Sequence, residues 1–164
     1  MQMQTTSRKD ELSPMEVVEF AEEHIPGVVA LGSELVENSR VYKQMEYHAG
    51  VVEKWLGMFL EEDVAKGWVA ITEGEVVGML LAGVYAKPPL IGILACDEFL
   101  YVKPSYRTAG AAEEMVNKYV EWAKASHAQV IMLCNTAGIE VERTKVFYDK
   151  CYFSCIGTNG LYEG

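Results

Sequence analysis

Apolar and polar residues alternate along this chain with two different periods, and the changes of period divide it into helices and strands. In residues 25–36, 51–60 and 112–123, apolar side chains recur at intervals of three and four positions, with polar side chains between them. This is the pattern of a helix that buries one face. The spacing therefore predicts three amphipathic helices, and a shorter helix is predicted over residues 139–150.

Runs of apolar and β-branched residues between these helices predict strands. The predicted strands cover residues 15–20, 67–72, 75–85, 90–102 and 129–134, and a last strand or strand pair covers residues 152–162. Glu73-Gly74 is a short turn signal, so the strands on either side of it should form an antiparallel hairpin. The order strand 90–102, helix, strand 129–134 predicts a right-handed crossover between two parallel strands.

Length and composition are typical of a globular protein. A chain of 164 residues with 50% hydrophobic and 23% charged residues is expected to form one domain with its own core. We expect residues 1–14 to be a polar leader and residues 15–164 to form that domain. The longest apolar run, residues 76–86, is too short for a membrane helix, and the polar N-terminus lacks the apolar segment of a signal peptide. The expected location is the cytoplasm, with no membrane partner.

Charge and cysteine spacing exclude several function classes. A net charge of -10 argues against binding to nucleic acid, whose backbone is also negative. The same charge suits a cationic substrate, although solubility explains it equally well. No G-x-S-x-G, H-E-x-x-H, P-loop or Rossmann motif is present, so the sequence lacks the residues that a hydrolase, a zincin or a P-loop protein requires at minimum. No two of the four cysteines have the C-x-x-C spacing of zinc and redox sites, so we expect reduced core thiols and no metal.

The segment between strand 90–102 and helix 112–123 has the composition of an anion-binding site. Pro104 ends the strand, and residues 108–112 carry small side chains around Gly110. A helix that begins on such residues exposes unpaired backbone N–H groups at the positive end of its dipole. The sequence therefore predicts a helix start that binds phosphate.

The predicted order of strands and helices, β-α-α-β-β-β-α-β-α-β, together with three motifs, resembles the GCN5-related N-acetyltransferase (GNAT) family. The segment from Arg107 to Ala112 fits the family's acetyl-CoA signature, which is Arg or Gln, two residues, Gly, one residue, then Gly or Ala. Residues 100–104, LYVKP, are similar to the family's L-x-V-x-P lead-in, and residues 146–153, VFYDKCYF, are similar to its FYEKxGF segment. The chain departs from the family at residues 108 and 109, where glycine or basic residues are common, and at Tyr152, where glycine is usual. The turn near Tyr152 is therefore expected to differ locally.

The resemblance implies an α/β (α+β) fold, in which a mixed, mostly antiparallel sheet with a central parallel pair is flanked by about four helices. It also implies acetyl-CoA as co-substrate and direct transfer of its acetyl group to a primary amine of a small molecule, peptide or protein. The alternative is a catalytically silent module of the same fold that binds CoA or a protein, which the departures at residues 108, 109 and 152 motivate. A toxin that acetylates charged tRNA is a third reading, and the acidic composition argues against it.

By the same resemblance, the cofactor would be held by backbone groups. Residues Leu100, Tyr101 and Val102 would pair with the pantetheine arm, and the N–H groups of Thr108, Ala109, Gly110, Ala111 and Ala112 would hold the pyrophosphate. Arg107 either adds charge or braces the loop. Asn135 either hydrogen-bonds the pantetheine or caps the following helix.

Tyr148 and Glu98 are the candidate catalytic residues. Tyr148 falls where the family often has its general acid, although a packed tyrosine is the alternative. A carboxylate at the start of strand 97–102 is a candidate general base, and the alternative is a solvated pair of acidic residues. Glu98 is preferred to Asp97 because strict alternation places it on the face of Leu100 and Val102.

The acceptor site is expected between the first two helices, in the connector of residues 40–48. Tyr42, Glu46 and Tyr47 are the candidate substrate contacts there, and each is individually more often a surface residue than a ligand. The sequence does not identify the amine, because variable loops choose it. The apolar hairpin of residues 85–93 is a candidate homodimer contact.

Overall fold

The protein is built on one mixed sheet. The structure is a computed structural model, and it describes residues 14–157 and Leu161. The strands are β1 (Glu16–Glu19), β2 (Ala65–Thr72), β3 (Glu75–Ala86), β4 (Ile93–Val102) and β5 (Val130–Met132), and they lie side by side in that order. The first three pairings are antiparallel and the pairing of β4 with β5 is parallel, which confirms the predicted fold class.

In the part of the chain that the structure describes, four helices cover the two faces of this sheet. They are α1 (Ile25–Asn38), α2 (Ala49–Glu61), α3 (Ala111–Ala125) and α4 (Val141–Lys150), and single 3-10 turns lie at Glu22–His24, Tyr42–Gln44 and Pro104–Tyr106. Within the described residues, none of these helices combines the length and the apolar composition that crossing a membrane requires.

The core forms two layers because alternate residues of the central strands point to opposite faces. On one face, Leu80 of β3 is fully buried with Met115 and Tyr119 of α3. On the other face, Leu81 packs in the cluster that contains Leu31 of α1 and Leu56 of α2. The helical periodicity predicts the buried positions of α3, including Met115 and Tyr119, but it omits Leu31 of α1 and wrongly includes Val51 of α2, which is 68% exposed.

The turn between β2 and β3 agrees with the hairpin prediction. Glu73 and Gly74 both have positive φ, 51° and 78°. Two positive φ angles are the requirement of the tight turn that best matches the twist of a hairpin.

The predicted last strand is not found in the part of it that the structure describes. Residues 152–157 carry no strand, and most of the remainder of residues 152–162 lies outside the described residues. Ile156 is 83% exposed and Tyr152 is 99% exposed, while Phe153 between them packs against the core cluster on the α3 face. The prediction of a strand here is wrong for residues 152–157, because an alternating pattern specifies a strand only where a partner strand is available.

Candidate active site

The parallel strands β4 and β5 separate, and a cavity opens between them. Their pairing covers only Leu94–Cys96 and Val130–Met132. Beyond that point β4 keeps β3 as its neighbour, while the chain after β5 turns towards α4. The cavity is lined by residues 98–102 of β4, residues 134–137 after β5, Arg107, Ala112, Glu140, and Arg143, Thr144, Phe147 and Tyr148 of α4, together with Leu35, Tyr42 and Ile139.

A bulge in β4 places Glu98 at the edge of this cavity. Phe99 pairs with Leu81 of β3 and Asp97 pairs with Ala82, so Glu98 is an extra residue without a partner on β3. Such a bulge bends the strand and turns a side chain out of the regular alternation.

Because of the bulge, the side chain of Glu98 lies on the opposite face of the sheet from the one expected. Leu100 and Val102 pack on the α3 face of the sheet. The carboxylate of Glu98 instead accepts a hydrogen bond from the hydroxyl of Tyr85, whose ring covers Gly83 on the α1 face. The expectation that Glu98 shares a face with Leu100 and Val102 is therefore wrong, because strict alternation ignores the inserted residue. Glu98 nevertheless lines the cavity.

Tyr148 reaches the cavity from α4 and is 9% exposed. Burial raises the pKa of its phenol above the usual value near 10, and the negative charge of Asp97 adds to this shift. The phenol therefore keeps its proton at neutral pH. Glu98 and Tyr148, which the sequence places 50 positions apart, line the same cavity.

Asp97 is buried beneath the point where the strands separate. It is 6% exposed, and its Oδ1 accepts a hydrogen bond from the backbone N–H of Cys134 at 2.7 Å. Burial raises the pKa of its carboxyl to about 7, although the hydrogen bond from Cys134 acts to lower it. Asp97 does not line the cavity, so the carboxylate exposed to the cavity at this end of β4 is Glu98.

The start of α3 has open backbone donors, but the expectation is wrong for Ala109 in the preceding loop, because its N–H donates to the carbonyl of Tyr106 at 3.2 Å. Gly110 precedes the helix with φ +82°, a conformation that favours glycine, and no side chain caps this end. The helical ladder starts with the N–H of Glu114 donating to the carbonyl of Gly110. Ala111 is buried and Ala112 lines the cavity, while Thr108 and Ala109 are exposed and lie outside the cavity lining.

Arg107 is held by three contacts and is only 17% exposed. Its Nε donates to the carbonyl of Val102 at 2.9 Å, its guanidinium forms an ion pair with Glu140, and it lies over the ring of Tyr101 at 5.5 Å. Of the two roles considered for Arg107, this geometry favours the structural one, in which the side chain holds together β4, the loop after it and the start of α4.

Asn135 lines the cavity, but its side chain is used inside its own loop. The amide nitrogen donates to the carbonyl of Ile139 at 3.1 Å, and Oδ1 accepts from the N–H of Gly138 at 3.1 Å. Asn135 is not the N-cap of α4, because that position is Glu140.

The three candidate acceptor residues do not come together. Tyr42 lines the cavity, and its hydroxyl lies 2.6 Å from the hydroxyl of Thr136. Tyr47 turns inward and donates to the carbonyl of Val29 at 2.7 Å. Glu46 is exposed and lies 3.5 Å from His48. Of these three residues, the structure brings only Tyr42 to the cavity, because the connector crosses over α1 instead of following the cavity.

Two features of the site have no signal in the sequence. Tyr85 meets Glu98 through the register of β3 and β4, and Glu140 meets Arg107 through the turn before α4. A third grouping, the thiols of Cys96 and Cys134 with 3.4 Å between their sulfur atoms, joins cysteines 38 positions apart. Each pair joins residues that are distant in sequence, so the local spacing of residues along the chain does not predict it.

The fold and this cavity define an acetyltransferase-like protein, and the comparison with known families agrees. The model of the acetyltransferase (GNAT) family matches residues 31–151. The chain belongs to the GNAT acetyltransferase family. No curated protein matches the chain significantly in sequence.

Solved structures of acetyltransferases share the fold at low sequence identity. AAC(6')-Iy in complex with the bisubstrate analogue CoA-S-monomethyl-acetylneamine is 15% identical, with a TM-score of 0.73 over 93% of this chain and 99% of that one. Aminoglycoside 6'-N-acetyltransferase AAC(6')-Ih from Acinetobacter baumannii is 16% identical, with a TM-score of 0.71 over 92% and 98% of the two chains. Glucosamine-6-phosphate N-acetyltransferase from Arabidopsis thaliana is also 16% identical, with a TM-score of 0.71 over 93% and 100%.

Proposed function

We propose that this protein is an acetyl-CoA-dependent N-acetyltransferase, which moves an acetyl group directly to the primary amine of a small molecule, a peptide or a protein. The observation that carries the proposal is the separation of β4 from β5 after Cys96. It leaves a free strand edge, a carboxylate and a buried phenol around one cavity. Family membership supports the proposal, as do similar structures that hold CoA or a CoA-linked bisubstrate analogue.

The backbone supplies the cofactor contacts in this proposal. Residues Leu100–Val102 have no β5 neighbour, so polar groups on that edge are open to the amides of a pantetheine arm. The carbonyl of Val102 is an exception, since it accepts from Arg107. The open N–H groups at the start of α3 provide positive potential for the pyrophosphate.

Two side chains on the cavity wall supply the proton transfers. Glu98 takes a proton from the acceptor ammonium, and the lone pair of the neutral amine then attacks the thioester carbonyl. The new C–N bond forms, the C–S bond breaks, and Tyr148 gives its proton to the departing thiolate. The amide nitrogen releases its second excess proton, which returns through solvent to the Tyr148 phenolate, and Glu98 releases its own proton to solvent. The pKa of Tyr148 lies above its ordinary value because the phenol is buried, so Tyr148 is still protonated when the sulfur leaves.

The acceptor is placed at the mouth of the cavity, beside Glu98 and Tyr42. Glu98 is exposed, and the Tyr42 hydroxyl lies beside Thr136, so this end of the cavity offers a carboxylate and two hydroxyl groups to an amine with polar substituents. Aminoglycosides, polyamines, amino acids and peptides are the classes to screen.

Two measurements test the proposal in sequence. Isothermal titration of the full chain with acetyl-CoA is expected to show one site per chain, and the absence of binding at millimolar ligand would overturn the proposal. A thiol-release screen against the four amine classes is then expected to give turnover with at least one of them. CoA binding without thiol release for any amine would instead support a silent CoA-binding module.

A further inference from the structure

A cluster of side chains with metal-ligand chemistry lies at the point where β4 and β5 separate, and the acetyl-transfer proposal does not use it. Cys96 and Asp97 are adjacent on β4, and Cys134 follows the end of β5 by two residues. The ligand atoms of these three side chains all lie within 4.8 Å of one another. Cys96 and Cys134 are half-buried, and Asp97 is buried.

The distance between the two sulfur atoms is close to that in a metal–dithiolate site. The Sγ atoms of Cys96 and Cys134 are 3.4 Å apart. Two thiolates bound to one tetrahedral zinc ion through bonds of about 2.3 Å would lie about 3.8 Å apart. A disulfide would instead require a separation of about 2 Å. The two sulfur atoms would therefore move less to bind one zinc ion than to form a disulfide, and the geometry is closer to that of a metal site.

The carboxylate of Asp97 is held beside the two thiols. Its Oδ1 accepts the backbone N–H of Cys134 at 2.7 Å, so the bond that fixes Asp97 also fixes the strand end carrying the second thiol. This bond uses only part of the acceptor capacity of a carboxylate, which has two oxygens and about four lone pairs. The cluster is therefore arranged before any ion arrives, as a selective metal site requires.

We propose that Cys96, Asp97 and Cys134 bind a single soft divalent cation of the zinc class. On binding, each thiol releases one proton to solvent, and the two thiolates and the carboxylate become the ligands. Two sulfur ligands favour zinc or cadmium over magnesium or calcium, which prefer oxygen. Because Cys134 also lines the cavity, the bound ion would lie at the cavity wall. The proposal does not depend on acetyl transfer.

Cadmium titration of the reduced, metal-free full chain tests this site through the ultraviolet charge-transfer absorption of cadmium thiolates. The expected result is a band that saturates at one Cd²⁺ per chain. Cys96→Ser and Cys134→Ser should each remove at least half of the band. Asp97→Asn should keep the band but weaken Cd²⁺ binding by about tenfold or more, the loss typical when a residue that supports a metal site is removed.

Cys151→Ser and Cys155→Ser are the matched controls, since both thiols lie outside the cluster. These variants should behave like the wild-type chain. The proposal is overturned if the band is absent, if it survives the loss of Cys96 and Cys134 together, or if it disappears in either control.

A second measurement needs no variant and is therefore unaffected by misfolding. In the wild-type chain, Zn²⁺ should slow alkylation of Cys96 and Cys134, read at each cysteine by mass spectrometry, and leave the exposed Cys155 unchanged. Equal rates with and without Zn²⁺ at Cys96 and Cys134 would contradict a metal site.

Discussion

The hydroxyl of Tyr101 donates a hydrogen bond to Oε1 of Glu34 at 3.0 Å, and this bond connects the cavity strand β4 to α1. The ring of Tyr101 is 4% exposed and packs in the core beneath α1. Its side chain is therefore a structural tie between two elements. Its backbone N–H and C=O point towards β3, where Tyr101 pairs with Met79, so the free-edge groups proposed for the pantetheine arm are those of Leu100 and Val102.

Replacing Tyr101 by Phe should lower stability without affecting cofactor binding. The variant loses one partly buried hydrogen bond to a charged group, which contributes about 1 to 3 kcal/mol to the free energy of unfolding. Urea unfolding at pH 7 measures this loss, and calorimetry should give an unchanged affinity for acetyl-CoA. Tyr152→Phe is the control, because Tyr152 is fully exposed and should tolerate the change. A weaker acetyl-CoA affinity in Tyr101→Phe would assign the hydroxyl to the site.

The same bond should make stability depend on pH in the alkaline range. Burial and the neighbouring Glu34 carboxylate raise the pKa of Tyr101 from 10.0 to about 12. Between about pH 10 and 12 the unfolded chain has lost this proton while the folded chain still holds it, so stability falls as the pH rises. Phe has no such proton. The difference in melting temperature between wild type and Tyr101→Phe should therefore shrink from pH 8 to pH 11 and would stay constant if the pKa were normal.

Replacing Tyr148 by Phe should reduce turnover and preserve binding. Removing a general acid typically costs about 100-fold or more in rate. The buried ring remains, so the affinity for acetyl-CoA measured by calorimetry should stay near that of wild type. Tyr152→Phe, four residues further on, is the matched control and should retain full turnover. Equal activity in Tyr148→Phe would remove this residue from the mechanism.

Glu98→Gln should lower kcat/KM by about 100-fold or more, since the amide cannot accept the ammonium proton. The substitution is nearly isosteric and keeps an oxygen for the hydrogen bond from Tyr85, so the bulge should persist. Glu121→Gln on the exposed side of α3 is the control for charge alone. A loss confined to low pH, recovered at high pH where the amine is already neutral, is the signature of a missing base. A pH-independent loss would point to substrate binding instead.

Arg107→Lys should separate the bracing role of Arg107 from that of its charge. Lysine keeps the charge but cannot bond the Val102 carbonyl and the Glu140 carboxylate with a planar fork. We expect a loss of about 1 to 3 kcal/mol in the free energy of unfolding and weaker acetyl-CoA binding. Arg143→Lys is the control for stability alone, because Arg143 is 54% exposed and lies 3.6 Å from the same glutamate. Wild-type stability in Arg107→Lys would show that charge alone matters.

Tyr152→Gly should stabilise the chain. Tyr152 has φ +65°, in the left-handed region that costs a side-chain-bearing residue about 1 to 2 kcal/mol, and its exposed ring contributes little packing. Glycine also has more conformational freedom in the unfolded chain, which offsets part of this stabilisation. We therefore expect the free energy of unfolding to rise by about 1 kcal/mol. Asp149→Gly in the last turn of α4 should instead lose about 1 kcal/mol. A melting temperature that falls in both variants would contradict strain at Tyr152.

The sequence by itself determined the helices, the hairpin, the parallel crossover and the start of α3. These features rest on local spacing, such as the apolar positions of residues 112–123 or the turn at Glu73-Gly74, and local spacing is visible without coordinates. The motif near Tyr148 also pointed to a residue that lines the cavity.

Only the tertiary structure decided which side chains meet in that cavity. The bulge at Glu98 arises from the register between β3 and β4, and a single inserted residue moves a side chain to the opposite face. The parallel pairing of β4 with β5, whose last pair is Cys96 and Met132, brings Cys96 beside Cys134. The path of the connector over α1 takes Glu46 and Tyr47 away from the cavity. These contacts join residues distant in sequence, and their free energy depends on how whole elements pack, which no local pattern encodes.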